Sequence, residues 1–234
     1  MVKNLAVIPA RSGSKRVKDK NIRLFAGRPL MAWIIDAALS SGVFERVYVS
    51  TDSEKYADIA RSCGAWVPFL RDSLMDDRSP LAEVACHELV RVERETETRY
   101  DSVAILQPTC PLLRPEDVCA VYEGFMSARA DSAMACFPFD HCNPWWAFRF
   151  VDSGAADYVL DSPWDSRSQD RERLYCPTGA LGIARSGVFK VDPVGVMKRC
   201  RFVPIPWESG FDIDSESDFV TAEALISIRK RNDA

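Results

Sequence analysis

Arg11, Lys15, Arg16 and Lys20 follow directly on an apolar run, Ala6-Val7-Ile8-Pro9-Ala10, with Gly13 among them and Asn21 closing the set. Glycine lets a backbone turn and approach an anion, and these cations can neutralise the roughly four negative charges of a nucleoside triphosphate. The spacing fits neither the Walker A loop nor the two-glycine dinucleotide fingerprint, so charge alone leaves an ordinary basic surface turn open. Near the other end stand Phe211-Asp212-Ile213-Asp214 and Ser215-Glu216-Ser217-Asp218. In an extended segment, residues two apart point the same way, so Asp212 and Asp214 would present two carboxylates to one site. Such hard oxygens suit magnesium, which takes one or two carboxylates and completes its shell with phosphates. Capping of the last helix by Asp214 or Ser215, with Asp218 closing a capping box, is the alternative, and a Ser215 cap is compatible with metal binding. The two motifs together imply phosphate transfer, with metal and cations stabilising a departing pyrophosphate.

Three further clusters fall where strands should end, the edge at which open α/β sheets bind ligands. Arg71 is trailed by Asp76-Asp77-Arg78-Ser79. Gln107-Pro108-Thr109-Cys110-Pro111-Leu112 follows a strongly apolar run, and Gln107 offers an amide suited to a base edge or a sugar hydroxyl. Arg167-Ser168-Gln169-Asp170-Arg171-Glu172-Arg173 leads into Tyr175-Cys176-Pro177-Thr178-Gly179-Ala180. Arg167, Arg171 and Arg173 could pair bidentately with a carboxylate or phosphate. Each cluster taken alone also reads as a solvated charged loop.

Placing these residues requires a scaffold. Short β-branched runs alternate with amphipathic stretches of helical length, the pattern of a mostly parallel sheet with helices on both faces. Strands are predicted over 4–9, 46–51, 65–70, 102–107, 131–137, 179–184 and 199–205. Helices are predicted over 29–41, 53–63, 79–98, 115–130 and 215–231, with Ser53 or Asp52 capping the second. Between 138 and 176 the alternation fails. This stretch holds Pro138, Pro144 and Pro163 with Trp145, Trp146, Phe148, Phe150, Tyr158 and Trp164, and two short extended runs at 146–151 and 157–160. Loops this long tend to be functional, and concentrated aromatics suggest an arm that packs on a partner subunit or a ligand.

With 234 residues, 47% hydrophobic and 27% charged, the chain suits one domain, 1–234, with 138–176 as an excursion. A formal charge of −4 argues against a nucleic-acid binder acting by broad neutralisation. The N-terminus enters the first strand without an apolar stretch of secretory or membrane-spanning length, which predicts a cytoplasmic protein and no membrane partner. Eight cysteines lack any Cys-x-x-Cys pair and are joined by His87 and His141 alone, which argues against a zinc site or a disulfide framework.

The clusters together resemble one family, the cytidylyltransferases that activate nine-carbon sugar acids: acylneuraminate (sialic acid) synthetases and their legionaminate and pseudaminate relatives. The resemblance covers nearly the full length. Its motifs stand here as Ile8 to Lys15 with Lys20-Asn21, Ser50-Thr51-Asp52, Arg71, Gln107 to Leu112, and Asp212 to Asp214. It implies an α/β fold, a single three-layer Rossmann-like nucleotidyltransferase domain with a mostly parallel mixed sheet and an extended dimerisation arm. It further implies a triphosphate cradle from Arg11, Ser14, Lys15 and Asn21, with Lys20 nearby. Arg71, Ser79 and the backbone around Ala10 would frame cytosine and ribose. Gln107 would contact the sugar acid, and Asp212 and Asp214 would bind Mg2+. A homodimer is implied, with the arm of one subunit reaching the other's sugar pocket.

The chain departs from that pattern at Ser12, where the family has a second glycine, at Cys110 for serine, and at Leu113, an extra leucine before Arg114. Thr178 stands where an asparagine normally contributes to the sugar or ribose pocket, and Arg171-Glu172 replaces a leucine-proline. The expected reaction is transfer of CMP from CTP to the anomeric hydroxyl of a nonulosonic acid, with release of pyrophosphate. Alternatives are an eight-carbon acid, another base, or a noncatalytic nucleotide binder. No histidine sits in any motif, so the base is either a carboxylate of the Asp212/Asp214 pair or a metal-bound hydroxide.

Overall fold

Asn4–Pro9 forms β1, buried at all six positions, and the alternation of its side chains sorts the core into two layers. The computed structural model describes residues 2–74, 79–140, 143–151, 154–160, 167 and 170–232. After β1 come a 3-10 turn (Lys20–Ile22), β2 (Leu24–Phe25), β3 (Arg28–Pro29), α1 (Leu30–Ser40), β4 (Arg46–Ser50), α2 (Glu54–Ser62), α3 (Leu81–Thr96), β5 (Ser102–Leu106), α4 (Pro115–Ser127) and β6 (Ser132–Pro138). A second 3-10 turn (Pro144–Trp146) precedes β7 (Phe148–Phe150) and β8 (Ala156–Tyr158). β9 (Tyr175–Arg185), α5 (Ser186–Phe189), α6 (Pro193–Lys198), β10 (Arg201–Pro204) and α7 (Glu216–Asn232) complete the chain.

The six-stranded sheet runs β10-β6-β9-β5-β1-β4, parallel throughout except for β9, which is antiparallel to both β5 and β6. Ala6 and Ile8 face one layer with Met31, Ile34 and Ile35 of α1, Tyr56 and Ala60 of α2, and Val121 and Phe125 of α4. Leu5 and Val7 face the other, with Leu89 and Val92 of α3, Phe189 of α5 and Val196 of α6. Burying each such aliphatic side chain stabilises by about 1.5–3 kcal/mol, so strand residues between two helical layers hold the loops at the strand ends firmly. A third cluster seats α7, through Phe219, Ala222 and Ile226, against Phe25, Leu30, Leu112, Val17 and Ile213. That packing brings the C-terminal Asp-x-Asp segment to the N-terminal loop.

Two sequence expectations are corrected. Residues 65–70 do not form a strand of the sheet: Trp66 makes a single bridge with Tyr48, and Pro68, lacking an N–H, cannot extend it. The sequence reading also passed over α5 and α6, whose combined effect is to cover β5, β6 and β9 on the α3 side. Ser53 stands at the N-cap of α2 without a side-chain hydrogen bond, and the Asp52 carboxylate is engaged with the basic loop rather than with the helix end. In the aromatic stretch, β7 and β8 form a separate hairpin on which Phe148 packs edge-on against Phe150 and Tyr158. Pro163 and Trp164 lie outside the described residues.

Candidate active site

The basic loop begins where β1 ends, and two contacts with the end of β4 fix it. The Ala10 amide donates to the Ser50 carbonyl at 2.8 Å, and Asp52 accepts from the Ser12 amide at 2.7 Å and from the Ser12 hydroxyl at 2.9 Å. Burial pushes the Asp52 carboxyl up, but these two bonds, with help from the Arg71 charge, bring it below the ordinary aspartate range. Ser12, the departure from glycine, therefore adds a side-chain clasp, and its φ is not among the positive ones. Gly13 does have a positive φ, 76°, which a side chain would strain.

Beyond this clasp the loop borders a cavity of about 510 Å3 lined by Arg11, Ser14, Lys15, Arg16, Lys20 and Asn21 together with Arg71, Ser79 and Gln107. Every residue expected to cradle a nucleotide is in this lining except Ala10, which is buried just behind it. Asn21 is buried, donates to the Arg11 carbonyl at 3.1 Å, and holds its Oδ1 without a partner. Arg71 is 4% exposed, and its Nε and Nη2 are buried with no hydrogen-bond partner. Burial lowers its pKa, opposed by the charges of Asp52 and Glu88. Five cationic side chains around one recess give it the charge complementary to a polyanion.

The carboxylate pair does not itself line the cavity, but Asp214 is bonded to two residues that do, Lys20 and Arg16. Lys20 Nζ donates to the Ile213 carbonyl at 2.7 Å and to Asp214 Oδ1 at 3.0 Å, and Arg16 pairs with that oxygen at 3.0 Å. The Ile213 amide donates to the Thr109 carbonyl at 2.9 Å, tying the segment to the turn after β5. Asp212 presents surface to solvent, yet protein crowding around its carboxyl raises its pKa; Thr109 opposes that rise, Asp214 adds to it, and Lys20 and Arg16 oppose it. The capping alternative also holds: Asp218 Oδ2 accepts from the Asp214 and Ser215 amides at 2.9 and 2.7 Å and from the Ser215 hydroxyl at 2.8 Å. Ser215 is the N-cap and Asp218 closes the box, which leaves the Asp212 and Asp214 carboxylates free of capping.

The donor chemistry of Asp212 and Asp214 fits a divalent cation. They are two hard carboxylates whose mutual repulsion already raises Asp212, and a cation relieves that repulsion. Among the described residues no cluster of three or more His, Cys, Asp or Glu forms, so the remaining ligands would come from water and substrate oxygens.

Gln107 follows β5 and faces β9 where Gly179 stands. A Cβ at Gly179 would lie 2.1 Å from Gln107 Nε2, so the missing side chain is what admits the carboxamide. The sequence reading passed over this role of Gly179. Thr178, expected at the sugar or ribose pocket, is instead buried; its hydroxyl donates to the Gly210 carbonyl at 3.0 Å and accepts from the Ala180 amide at 3.2 Å. It fastens β9 to the loop before Asp212 and does not line the cavity. Cys110 is buried and its thiol is pushed well up by that burial, which excludes it as a nucleophile. Arg167 is exposed, Arg171 stacks 5.0 Å from the Trp145 ring, and Arg173 pairs with Asp140 at 2.9 Å; none of the three lines the cavity. Asp76, Asp77, Arg78, Ser168 and Gln169 lie outside the described residues.

The cytidylyltransferase family model matches residues 5–141. The chain is 30% identical over 228 residues to a pseudaminic acid cytidylyltransferase of Campylobacter jejuni, covering 97% of each chain. It is 33% identical over 235 residues to a CMP-N,N'-diacetyllegionaminic acid synthase of Legionella pneumophila, again over 97% of each. Among solved structures, a CMP:2-keto-3-deoxy-manno-octonic acid synthetase complexed with CTP superposes with a TM-score of 0.69 at 20% identity, over 97% of this chain and 99% of that one.

Proposed function

Since this chain belongs to the cytidylyltransferase family, we propose that it transfers CMP from CTP to the anomeric hydroxyl of a nonulosonic acid and releases pyrophosphate. The observation that carries the proposal is the cavity itself: five cations, a buried Arg71 fork without a protein partner, and the Asp212/Asp214 pair at its border. The nine-carbon class is supported by relatives whose names are those of pseudaminic and legionaminic acid enzymes.

In this reading Arg11, Ser14, Lys15 and Asn21 hold the triphosphate, while Arg71, Ser79 and the Ala10 backbone frame cytosine and ribose. The loop cations draw charge from the pyrophosphate as it leaves, and Lys20 keeps the Asp214 segment against the loop. Gln107 orients the sugar acid so that its anomeric oxygen lies in line with the α-phosphorus. A divalent cation, Mg2+ by ligand type, held by Asp212 and Asp214 would offset charge on the phosphates. A carboxylate oxygen of the Asp212/Asp214 pair not engaged by the cation would accept the hydroxyl proton, and the use of CTP assigns the reaction to the cytoplasm. No described helix is long and apolar enough to cross a membrane.

We further assign 138–176 as the arm of a homodimer. Phe148 and Phe150 are exposed, Phe150 to 78%, on a hairpin that stands apart from the main sheet, and exposed aromatics of this kind mark interfaces. Arg167, Arg171 and Arg173, which do not line their own cavity, would then serve the partner's sugar carboxylate. The test is pyrophosphate release from CTP and Mg2+ with pseudaminate, legionaminate, neuraminate, the deaminated nine-carbon acid and the eight-carbon acid. Turnover with one nine-carbon acid supports the reading. Preference for the eight-carbon acid replaces the substrate class, and CTP binding without any turnover points to a noncatalytic binder.

A further inference from the structure

One side of α3 grips the segment that carries Arg71 at several successive residues. Arg91 donates to the Leu70 carbonyl at 2.9 Å, pairs with Asp72 at 3.4 Å and stacks on the Phe69 ring at 4.0 Å. One turn earlier, His87 Nε2 lies 3.1 Å from the Ser73 hydroxyl, and His87 Nδ1 lies 3.0 Å from Glu88 Oε1. Glu88 is fully buried, and its other oxygen accepts from the Tyr48 hydroxyl of β4. A carboxylate only accepts, so Nδ1 is the donor to Glu88, and the ring links that carboxylate to the Ser73 hydroxyl. The same hydroxyl donates to Asp72 Oδ1 at 3.2 Å on the loop side.

The gripped segment enters the cavity on either side of the contact. Arg71 lines it two residues before Ser73, and Leu74 lines it one residue after, with a positive φ of 52° that the loop must hold. Arg71 itself is fixed by its amide, which donates to the Thr51 carbonyl at 2.7 Å, while its buried Nε and Nη2 have no protein acceptor. A buried guanidinium needs a counter-charge. Asp52 supplies the larger share electrostatically and Glu88 a further one, and Glu88 does so without occupying the fork, since the groups bonded to it are Tyr48 and His87.

We propose that Glu88, acting through His87 and Ser73 and by its charge on Arg71, is a positioning residue for the nucleotide: it holds the Arg71 fork open toward the cavity. The proposal rests on the reading that Arg71 contacts CTP. Its role is distinct from the loop cations, because it sets where a recognition group stands and touches no substrate atom itself.

The experiment is a double-mutant cycle on CTP binding by calorimetry, without sugar acid, using wild type, Glu88→Gln, Arg71→Ala and the pair, with Ser73→Ala as a second, loop-side probe. Glu88→Gln and Ser73→Ala should each weaken CTP binding, Glu88→Gln by roughly fivefold to tenfold, the range of coupled neighbours. Both losses should vanish in the Arg71→Ala background, and in turnover the KM for CTP should rise while the KM for the sugar acid stays. Equal losses in both backgrounds would reveal a merely structural role and overturn the proposal, as would unchanged binding in both single variants. If wild type binds CTP and Arg71→Ala binds it equally well, the contact assumed for Arg71 is wrong and the proposal falls with it. A wild type that does not bind CTP overturns the nucleotide reading as well, so the two failures are told apart.

Discussion

Lys20 Nζ lies 3.0 Å from Asp214 Oδ1, joining the basic loop to the carboxylate pair across 194 positions of sequence. The Lys20 side chain is largely buried at that contact, whereas Arg16, the second partner of the same oxygen, is mostly exposed. Exposed pairs contribute little to stability, so the contact with Lys20 is the one expected to hold the two motifs together.

Asp212→Asn and Asp214→Asn should each lower turnover by about 100-fold or more, the scale of losing a preorganised charge at a phosphoryl-transfer centre. The Asp212→Asn melt should stay near wild type, because the helix is capped by Ser215 with Asp218, whereas Asp214→Asn, which loses the ion pair with Lys20, should melt modestly lower. Pyrophosphate release at saturating Mg2+ checks this. Wild-type rates in both variants would remove the metal assignment.

Gly179→Ala places a methyl 2.1 Å from Gln107 Nε2 and must displace the carboxamide. The KM for the sugar acid should rise roughly tenfold, about 1.4 kcal/mol of binding, with the CTP dissociation constant unchanged. A parallel rise in both constants would show that the methyl disturbs the whole site and would take Gln107 out of sugar recognition.

The Ser12–Asp52 clasp carries a pH signature. The Asp52 carboxyl is depressed in the folded state, so its contribution is complete above the pKa of an unfolded aspartate and fades as pH falls through the folded value. Asp52→Asn should therefore cost about 1–2 kcal/mol near neutrality, and the cost should shrink in acid, below the pKa of an unfolded aspartate. Urea titrations of the two proteins at neutral and at acid pH measure it. A cost that persists undiminished in acid would show that the carboxylate charge is not what holds Ser12.

Replacing Phe148 and Phe150 together by serine removes the exposed aromatic pair of the hairpin, each ring worth 150–250 Å2 of burial at an interface by the usual range of about that size. Sedimentation should shift from dimer to monomer, with sugar-acid turnover falling alongside. An unchanged dimer would place the interface elsewhere.

Much of this site was legible in residue types. A small-residue loop dense in cations and an Asp-x-Asp pair state their chemistry locally, and the unbroken apolar run of β1 announces a strand buried on both faces. The apolar run 65–70 misled because composition favours a strand while Pro68 breaks the ladder after Trp66. α5 and α6 are four and six residues long and contain Gly187 and Gly195, so periodicity has too few turns to register; Pro193 after Asp192, whose side chain caps Gly195 at 2.9 Å, was the available signal. Thr178 stands off the cavity lining for a reason that is remote in sequence. Its partner, Gly210, is 32 positions away, and only the closing of β9 against the loop before Asp212 turns the hydroxyl inward.

The most direct test of the central claim is the phosphorus balance of one reaction, followed by 31P NMR with CTP, Mg2+ and the nine-carbon acid that the panel selects. The expected result is one CMP phosphodiester and one pyrophosphate for each CTP consumed, dependent on both Asp212 and Asp214. Inorganic phosphate with a CDP product, or CTP left intact beside folded protein that binds it, would contradict CMP transfer.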